Sequence, residues 1–275
     1  MTDYATIEVE QVDRVRVIRF NRPAKLNAFN DEMAREFGHA LGAADSDSSV
    51  GAIVTTGNGR AYSAGNDRTA PLGSSAVRGE APAGPNAFDH EFIIGLKPII
   101  AAVNGVALGV GLTAPLLYDS IIASTEARFS MRFAAIASVP ELGSSWLLPR
   151  IIGFHRAKEM VLTGRIYDAE AARELGIVRR VVEPDRLLPE AIALAQEISG
   201  NPAPTLRTIK KMMWEDLTEG GDEGTWRRSN EYLLEARQTA EYREGALAFR
   251  EKRDPRYHDE AHMAALRASM EAESS

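Results

Sequence analysis

The chain has no cysteine, which excludes disulfides, thiolate nucleophiles and cysteine metal sites together. Histidine is scarce. The five residues His39, His90, His155, His258 and His262 form one close pair, in the tail, and that spacing argues against a zinc site. No apolar run approaches the ~20 residues of a membrane-spanning helix, and the opening Met1-Thr2-Asp3-Tyr4 carries a carboxylate in place of an apolar signal core. An excess of positive charge is also missing. With 39 acidic and 32 basic side chains, the net charge of −7 gives no broad electrostatic reason to seek nucleic acid or an anionic membrane, although a local basic patch for phosphates stays compatible with it. These absences predict a cytoplasmic protein with no metal, no nucleic-acid partner and no membrane association.

What is present is an ordinary soluble composition over 275 residues, ample for a real core and long enough for one large domain or a domain with an appended helical part. Residues 6–20 alternate through Val9, Val12, Val15, Val17 and Phe20 around Asp13, which predicts two antiparallel strands. A polar loop over 21–28 follows, then a helix capped by Asn30-Asp31-Glu32 with Met33, Phe37, Ala40 and Leu41 on one face. Strands at 50–56, 98–103, 120–123 and 178–182 separated by helical stretches favour an α/β architecture with largely parallel pairing. From Leu187 onward the sequence is almost wholly helical, giving a predicted division into a core over 1–200 and a helical region over 201–275. The tail after Pro255 is charged and Ala-rich, and Lys210-Lys211 and Arg250 to Arg253 read as solvated helix charges.

The chain is organised around Lys97 to Pro149. An apolar run, Pro98 to Val103, breaks at Asn104-Gly105 and passes through Leu108-Gly109-Val110-Gly111 into a second apolar segment ending at Tyr118-Asp119. This predicts a buried strand, an exposed turn and a helix N-terminus, where unpaired N–H groups can meet an oxygen that carries or acquires negative charge. Ala61-Tyr62-Ser63-Ala64-Gly65-Asn66-Asp67 is a second junction of small residues after a strand. From the residues alone, both glycine turns equally serve to let helix and strand pack closely. The Gly-, Pro-, Ser- and Ala-rich stretch 69–85 predicts a mobile loop that orders over a ligand.

Taken together, these pieces resemble the crotonase superfamily, the enoyl-CoA hydratase/isomerase family, from about Val9 to about Arg256. The resemblance rests on Asn21-Arg22-Pro23 with Asn27-Ala28, Ser63-Ala64-Gly65-Asn66-Asp67, the Lys97 to Asp119 stretch, and Leu162-Thr163-Gly164 with Leu175-Gly176-Ile177-Val178. It implies a crotonase-like spiral of strand-strand-helix turns with a C-terminal helical trimerisation region, assembled as a homotrimer or a dimer of trimers. It further implies an acyl-CoA thioester substrate, with coenzyme A as part of the substrate and no separate cofactor. The carbonyl oxygen would be held by the main-chain N–H groups of Ala64 and Val110, while Lys25, Tyr62, Gly65, Asn66, Asp67, Gly109, Thr113 and Phe133 would belong to the substrate-binding surroundings.

The two glutamates that hydratases of the family use fall here at Thr113 and Phe133, neither of which can act as a carboxylate base. Ser138-Val139-Pro140-Glu141-Leu142-Gly143, followed by Leu148-Pro149-Arg150, is similar instead to the Δ3,Δ2-enoyl-CoA isomerase branch. There a single glutamate, here Glu141, would move a proton from C2 to C4 of a 3-enoyl-CoA. An apolar setting would raise its pKa and make it a better base; the competing reading is a surface carboxylate favoured by the dipole of a helix starting near Ser144. An enoyl-CoA hydratase and a catalytically silent acyl-CoA-binding protein stand as alternatives. Asp119 reads as structural, Asp67 as a helix cap, Tyr62, Phe88, Phe92, Phe133 and Trp146 as core or acyl-pocket lining, and Lys25, Arg22 and Arg68 as CoA-phosphate contacts or solvated surface.

Overall fold

A computed structural model describes residues 3–69, 86–219 and 221–274. The 69–85 stretch expected to close over a ligand lies, apart from Thr69, outside them. The described chain falls into two compact units, Met1–Ile198 and Ser199–Ser275.

The first unit is mixed α/β. Strands β1 (Ile7–Val12) and β2 (Val15–Phe20) form the antiparallel hairpin, turned at Asp13, whose φ is +51°. β3 (Ala52–Gly57), β5 (Ile99–Val103), β7 (Ser120–Ser124) and β10 (Arg180–Val182) continue the sheet in parallel, in the order β1-β2-β3-β5-β7-β10. Its central strands are β-branched and apolar on both faces, as a sheet covered on both sides requires. One face, through Val15, Val17, Ala52, Val54, Ile100, Ala102 and Ile122, packs on Leu187, Ala191 and Ala195 of the helix Pro184–Ser199. On the other, Phe20 meets Phe29, Phe37 and Tyr62 edge-on at 5.1, 5.0 and 5.2 Å between ring centroids. Phe37 is supplied by the helix Asp31–Ser46, which Asn30 caps by accepting from the Met33 N–H.

A second sheet has four short strands. β4 (Ala61–Ser63), β6 (Val106–Leu108) and β8 (Arg128–Ser130) are parallel, and β9 (Tyr167–Asp168) closes the edge antiparallel. β6 refines the expected strand, turn and helix: the chain leaves β5, turns at Asn104-Gly105 and makes a further strand before any helix. The helix that follows is only Val110–Thr113, because Pro115 lacks the N–H to continue it and opens a 3₁₀ turn over Pro115–Leu117.

The second unit comprises helices Ala203–Glu219, Asp222–Arg237, Ala240–Glu251 and Glu260–Ser274. Its basic residues are not all solvated as expected. Lys210 is buried, and Arg253 donates to fully buried Glu244 at 2.6 and 3.1 Å. Glu244 also accepts from the Arg256 N–H at 2.7 Å and lies 2.7 Å from His262 Nε2. Arg253 first, then His262 and the Arg256 N–H, hold its carboxyl down to about 2. The charged tail is therefore tied down by one buried acid. Among the described residues no helix is long and apolar enough to cross a membrane.

Candidate active site

The three parallel strands of the second sheet end side by side, and the residues just past their carboxyl ends line one cavity of about 260 Å³. Ala64, Gly65 and Asn66 follow β4, Gly109 and Val110 follow β6, and Arg132 and Phe133 follow β8. A crevice at the carboxyl ends of parallel strands is where backbone turns open and ligands bind. Ser138 and Glu141 reach the same cavity from the loop that leads into the helix Ser144–Ile152.

The glycines are there because two turns touch. A Cβ on Gly65, whose φ is +95°, would lie 2.9 Å from Leu108 O, and one on Gly111 would lie 2.3 Å from Ser63 O. Close packing and a cavity lined by backbone are thus one arrangement, since the side chains that would separate the turns are missing.

Which peptide groups are open corrects the sequence expectation. The Ala64 N–H donates to Leu26 O at 2.9 Å and is therefore committed within the protein. The Phe29 N–H donates to Gly65 O and the Asp67 N–H to Phe29 O, both at 2.8 Å, forming a parallel bridge between Phe29 and Asn66. That pattern turns the N–H of Asn66 away from Phe29, and it meets no acceptor among the described residues. The Val110 N–H, the first of its short helix, is likewise without an acceptor there. Asn66 and Val110, both in the cavity lining, thus each keep a main-chain N–H that no described residue engages.

Glu141 is held through its main chain. Its carbonyl accepts from the Ser144 N–H at 3.0 Å and from Ser144 Oγ at 2.6 Å. Leu142 and Gly143, at φ +52° and +66°, turn the chain between the glutamate and the helix. The Glu141 carboxylate has no hydrogen-bond partner among the described residues. Burial raises its pKa, with the charge of Arg68 partly opposing. A carboxylate held mainly by the dipole of the Ser144 helix would shift the other way; the half-buried position of Glu141 and its upward shift fit the poorly solvated acid better.

Several expected contacts lie elsewhere. Tyr62 is a core residue, 1% exposed, its hydroxyl 2.8 Å from Thr55 Oγ1, and burial drives its pKa up. Thr113 is fully buried, its Oγ1 unpartnered, and it does not line the cavity. Asp67 accepts from Thr69 and pairs with Arg22 at 2.9 Å, which together hold its carboxyl down to about 2. Arg22 also donates to Ala28 O, so it is an internal brace and not a phosphate contact. Lys25 is exposed on the 3₁₀ turn Pro23–Lys25, away from the cavity lining. Asp119 accepts from the Ile99 N–H at 2.7 Å, a structural tie between strands. Phe133, Asn66, Gly65 and Gly109 line the cavity. Sequence reasoning missed Arg132 and Ser138. Their only signal was position, immediately after a strand and immediately before the Glu141 turn.

Comparison with known proteins gives this arrangement a family. The family model described as enoyl-CoA hydratase/isomerase matches residues 10–260. A probable enoyl-CoA hydratase of Rhizobium meliloti is 38% identical over 250 residues, covering 91% of this chain and 96% of that protein. The 1,2-epoxyphenylacetyl-CoA isomerase of Escherichia coli is 35% identical, covering 88% and 94%. A crystal structure of enoyl-CoA hydratase subunit I from Geobacillus kaustophilus superposes with a TM-score of 0.82 at 35% identity, covering 94% and 99%. The chain belongs to the enoyl-CoA hydratase/isomerase family of the crotonase superfamily and has its α/β fold.

Proposed function

We propose that this chain moves the double bond of a 3-enoyl-CoA into conjugation, giving the 2-enoyl-CoA through a thioester enolate. The N–H groups of Asn66 and Val110 receive the thioester oxygen. Glu141 takes a proton from C2, and the C–H electron pair passes through C1 to place negative charge on that oxygen. Collapse of the dienolate restores the carbonyl and forms the C2–C3 double bond, while the same carboxyl group returns the proton to C4. Donors already aimed at the oxygen stabilise the charged transition state more than the neutral substrate.

The observation that carries this reading is that one carboxylate, Glu141, lines the cavity among the described residues. Hydration requires a group to activate water and another to manage the proton, and the two positions expected to supply them hold a buried Thr113 outside the lining and an apolar Phe133. The name of the 35%-identical Escherichia coli relative, an isomerase acting on a CoA thioester, agrees with it. Hydratase activity is the second reading, favoured by the name of the Rhizobium meliloti relative. A homotrimer or dimer of trimers remains part of the proposal. The second unit exposes Ile209, Met213, Leu233 and Leu234, and light scattering on the purified protein tests the assembly.

Purified protein is incubated separately with a 3-enoyl-CoA and a 2-enoyl-CoA. Conjugated product from the first, lost in Glu141→Gln, is the expected result. Hydration of the second that survives this substitution overturns the assignment, and acyl-CoA binding without turnover of either leaves a silent binding protein.

A further inference from the structure

The proposed reaction needs one acid and two peptide donors, yet the cavity also contains two arginines. Arg68 and Arg132 both line it and both are exposed to solvent. Neither makes a hydrogen bond or ion pair with any described residue, whereas Arg16, Arg19, Arg22 and Arg228 are each paired with a carboxylate. Arg132 is fixed at its base, since a Cβ on Gly164, at φ +57°, would come within 3.3 Å of its Cα. Ser138 adds a hydroxyl to the same lining. Among the described residues, the charged side chains of the cavity are thus two cations and one anion, and in the proposed reaction that anion must be free to take up a proton.

A plain hydrocarbon chain gains nothing from guanidinium groups that it must pass and partly desolvate. An anionic group gains planar, forked hydrogen bonds from each of them. Position selects which anion. Glu141 has to reach C2, next to the thioester carbonyl, so the wall it shares with Phe133, Ile136 and Arg132 faces the acyl part of the substrate.

Resting on the isomerase reading for its orientation, we propose that the site takes acyl-CoA thioesters whose acyl chain ends in a second carboxylate, bound by Arg132 and Arg68. The two guanidinium groups fix the far end of the chain. They thereby hold C2 and C4 in line with the one carboxyl group that serves both.

The test is a binding comparison that needs no turnover, so it stands whether or not the isomerase reading does. Affinities of adipyl-CoA and hexanoyl-CoA, saturated and equal in chain length, are measured calorimetrically for the wild type, Arg132→Met and Arg68→Met. Charge-assisted hydrogen bonds to a carboxylate predict that the wild type binds adipyl-CoA about 10-fold or more tightly than hexanoyl-CoA. They also predict that each substitution brings this ratio towards one. Equal wild-type affinities overturn the proposal. So does a substitution that weakens both ligands by the same factor, since that result assigns the arginines to the CoA phosphates common to both. Failure of the isomerase reading shows separately, as absence of double-bond migration with either a charged or an uncharged 3-enoyl-CoA.

Discussion

Replacing Glu141 by Gln keeps the shape of the side chain and removes the only carboxylate lining the cavity among the described residues. The Ser144 bonds that position residue 141 go to its main-chain oxygen and are untouched. A positioned general base is worth ~10²–10⁴ in rate, or about 2.7–5.4 kcal/mol of barrier. The upper part of that range applies here because, among the described residues, no other carboxylate lines the cavity to substitute. The assay follows the ultraviolet absorbance of the conjugated thioester formed from a 3-enoyl-CoA. Retention of more than about a tenth of wild-type turnover by Glu141→Gln refutes the assignment, because a lone base cannot be that dispensable.

The same substitution makes a pH and a stability prediction with definite signs. Burial raises the pKa of Glu141, and the proposed reaction uses its ionised form. Turnover therefore falls on the acid side along a limb displaced above the ordinary carboxylate value, and Arg68→Met, which removes the opposing charge, moves that limb further up. A carboxyl whose folded pKa is raised contributes stability that is fully present below its unfolded pKa and lost as pH rises through the folded value. At neutral pH the ionised group is a net cost. Glu141→Gln should melt at a higher temperature than wild type near pH 7, with the gap closing on acidification. A lower melting temperature at neutral pH would mean that the carboxylate has a stabilising partner, as the helix-dipole reading requires.

Val110→Pro deletes one donor where proline is tolerated, at the first position of a helix; it should lower kcat by ~10²–10³ with the melting temperature preserved, and unimpaired kcat removes Val110 from the mechanism. Gly111→Ala places a methyl 2.3 Å from Ser63 O and should cost at least the ~1–3 kcal/mol of ordinary overpacking in a urea titration, whereas Gly95→Ala, where a Cβ meets nothing within 4 Å, should not destabilise. Glu244→Gln leaves a partly exposed Arg253, still paired with Glu251, facing an uncharged amide and should cost about 1.5–3 kcal/mol, seen as faster hydrogen exchange over 240–251 and 260–274. Because the Glu244 carboxyl is held down to about 2, its contribution is complete above the unfolded carboxylate value and is lost as pH falls towards about 2.

Where local pattern decides structure, the sequence was readable. Alternation made the β1–β2 hairpin, Asn30 capped its helix, and the glycine junctions stand where their spacing put them. Polar residues whose role depends on a distant partner were not readable. Arg22 and Asp67, 45 positions apart, are each other's partner. Arg253 lies in what looked like a solvated basic run, yet it is bound to a glutamate that the helix buries completely. Tyr62 has the composition of a pocket residue, but strand alternation turns it towards Phe20 and Thr55 and away from the cavity.

The shift of the open N–H from Ala64 to Asn66 has the same origin and carries a general consequence. A small-residue turn after a strand tells that peptide N–H groups will be exposed, but not which ones, because each can be consumed by a segment passing beside it. Here that segment is 26–29, held by Asn27, which accepts from the Arg22 N–H and donates to Ala61 O at 2.7 Å. Through Leu26 O it takes the Ala64 N–H, and through the bridge at Phe29 it fixes the neighbouring peptides so that Asn66 faces outward. The Asn21-Arg22-Pro23 motif, far from the cavity in sequence, thereby selects the donor. Asn27→Ala should lower turnover without touching any group that meets the substrate in the proposed mechanism, and it should do so through kcat more than KM, since there the misdirected N–H acts on charge present only in the transition state.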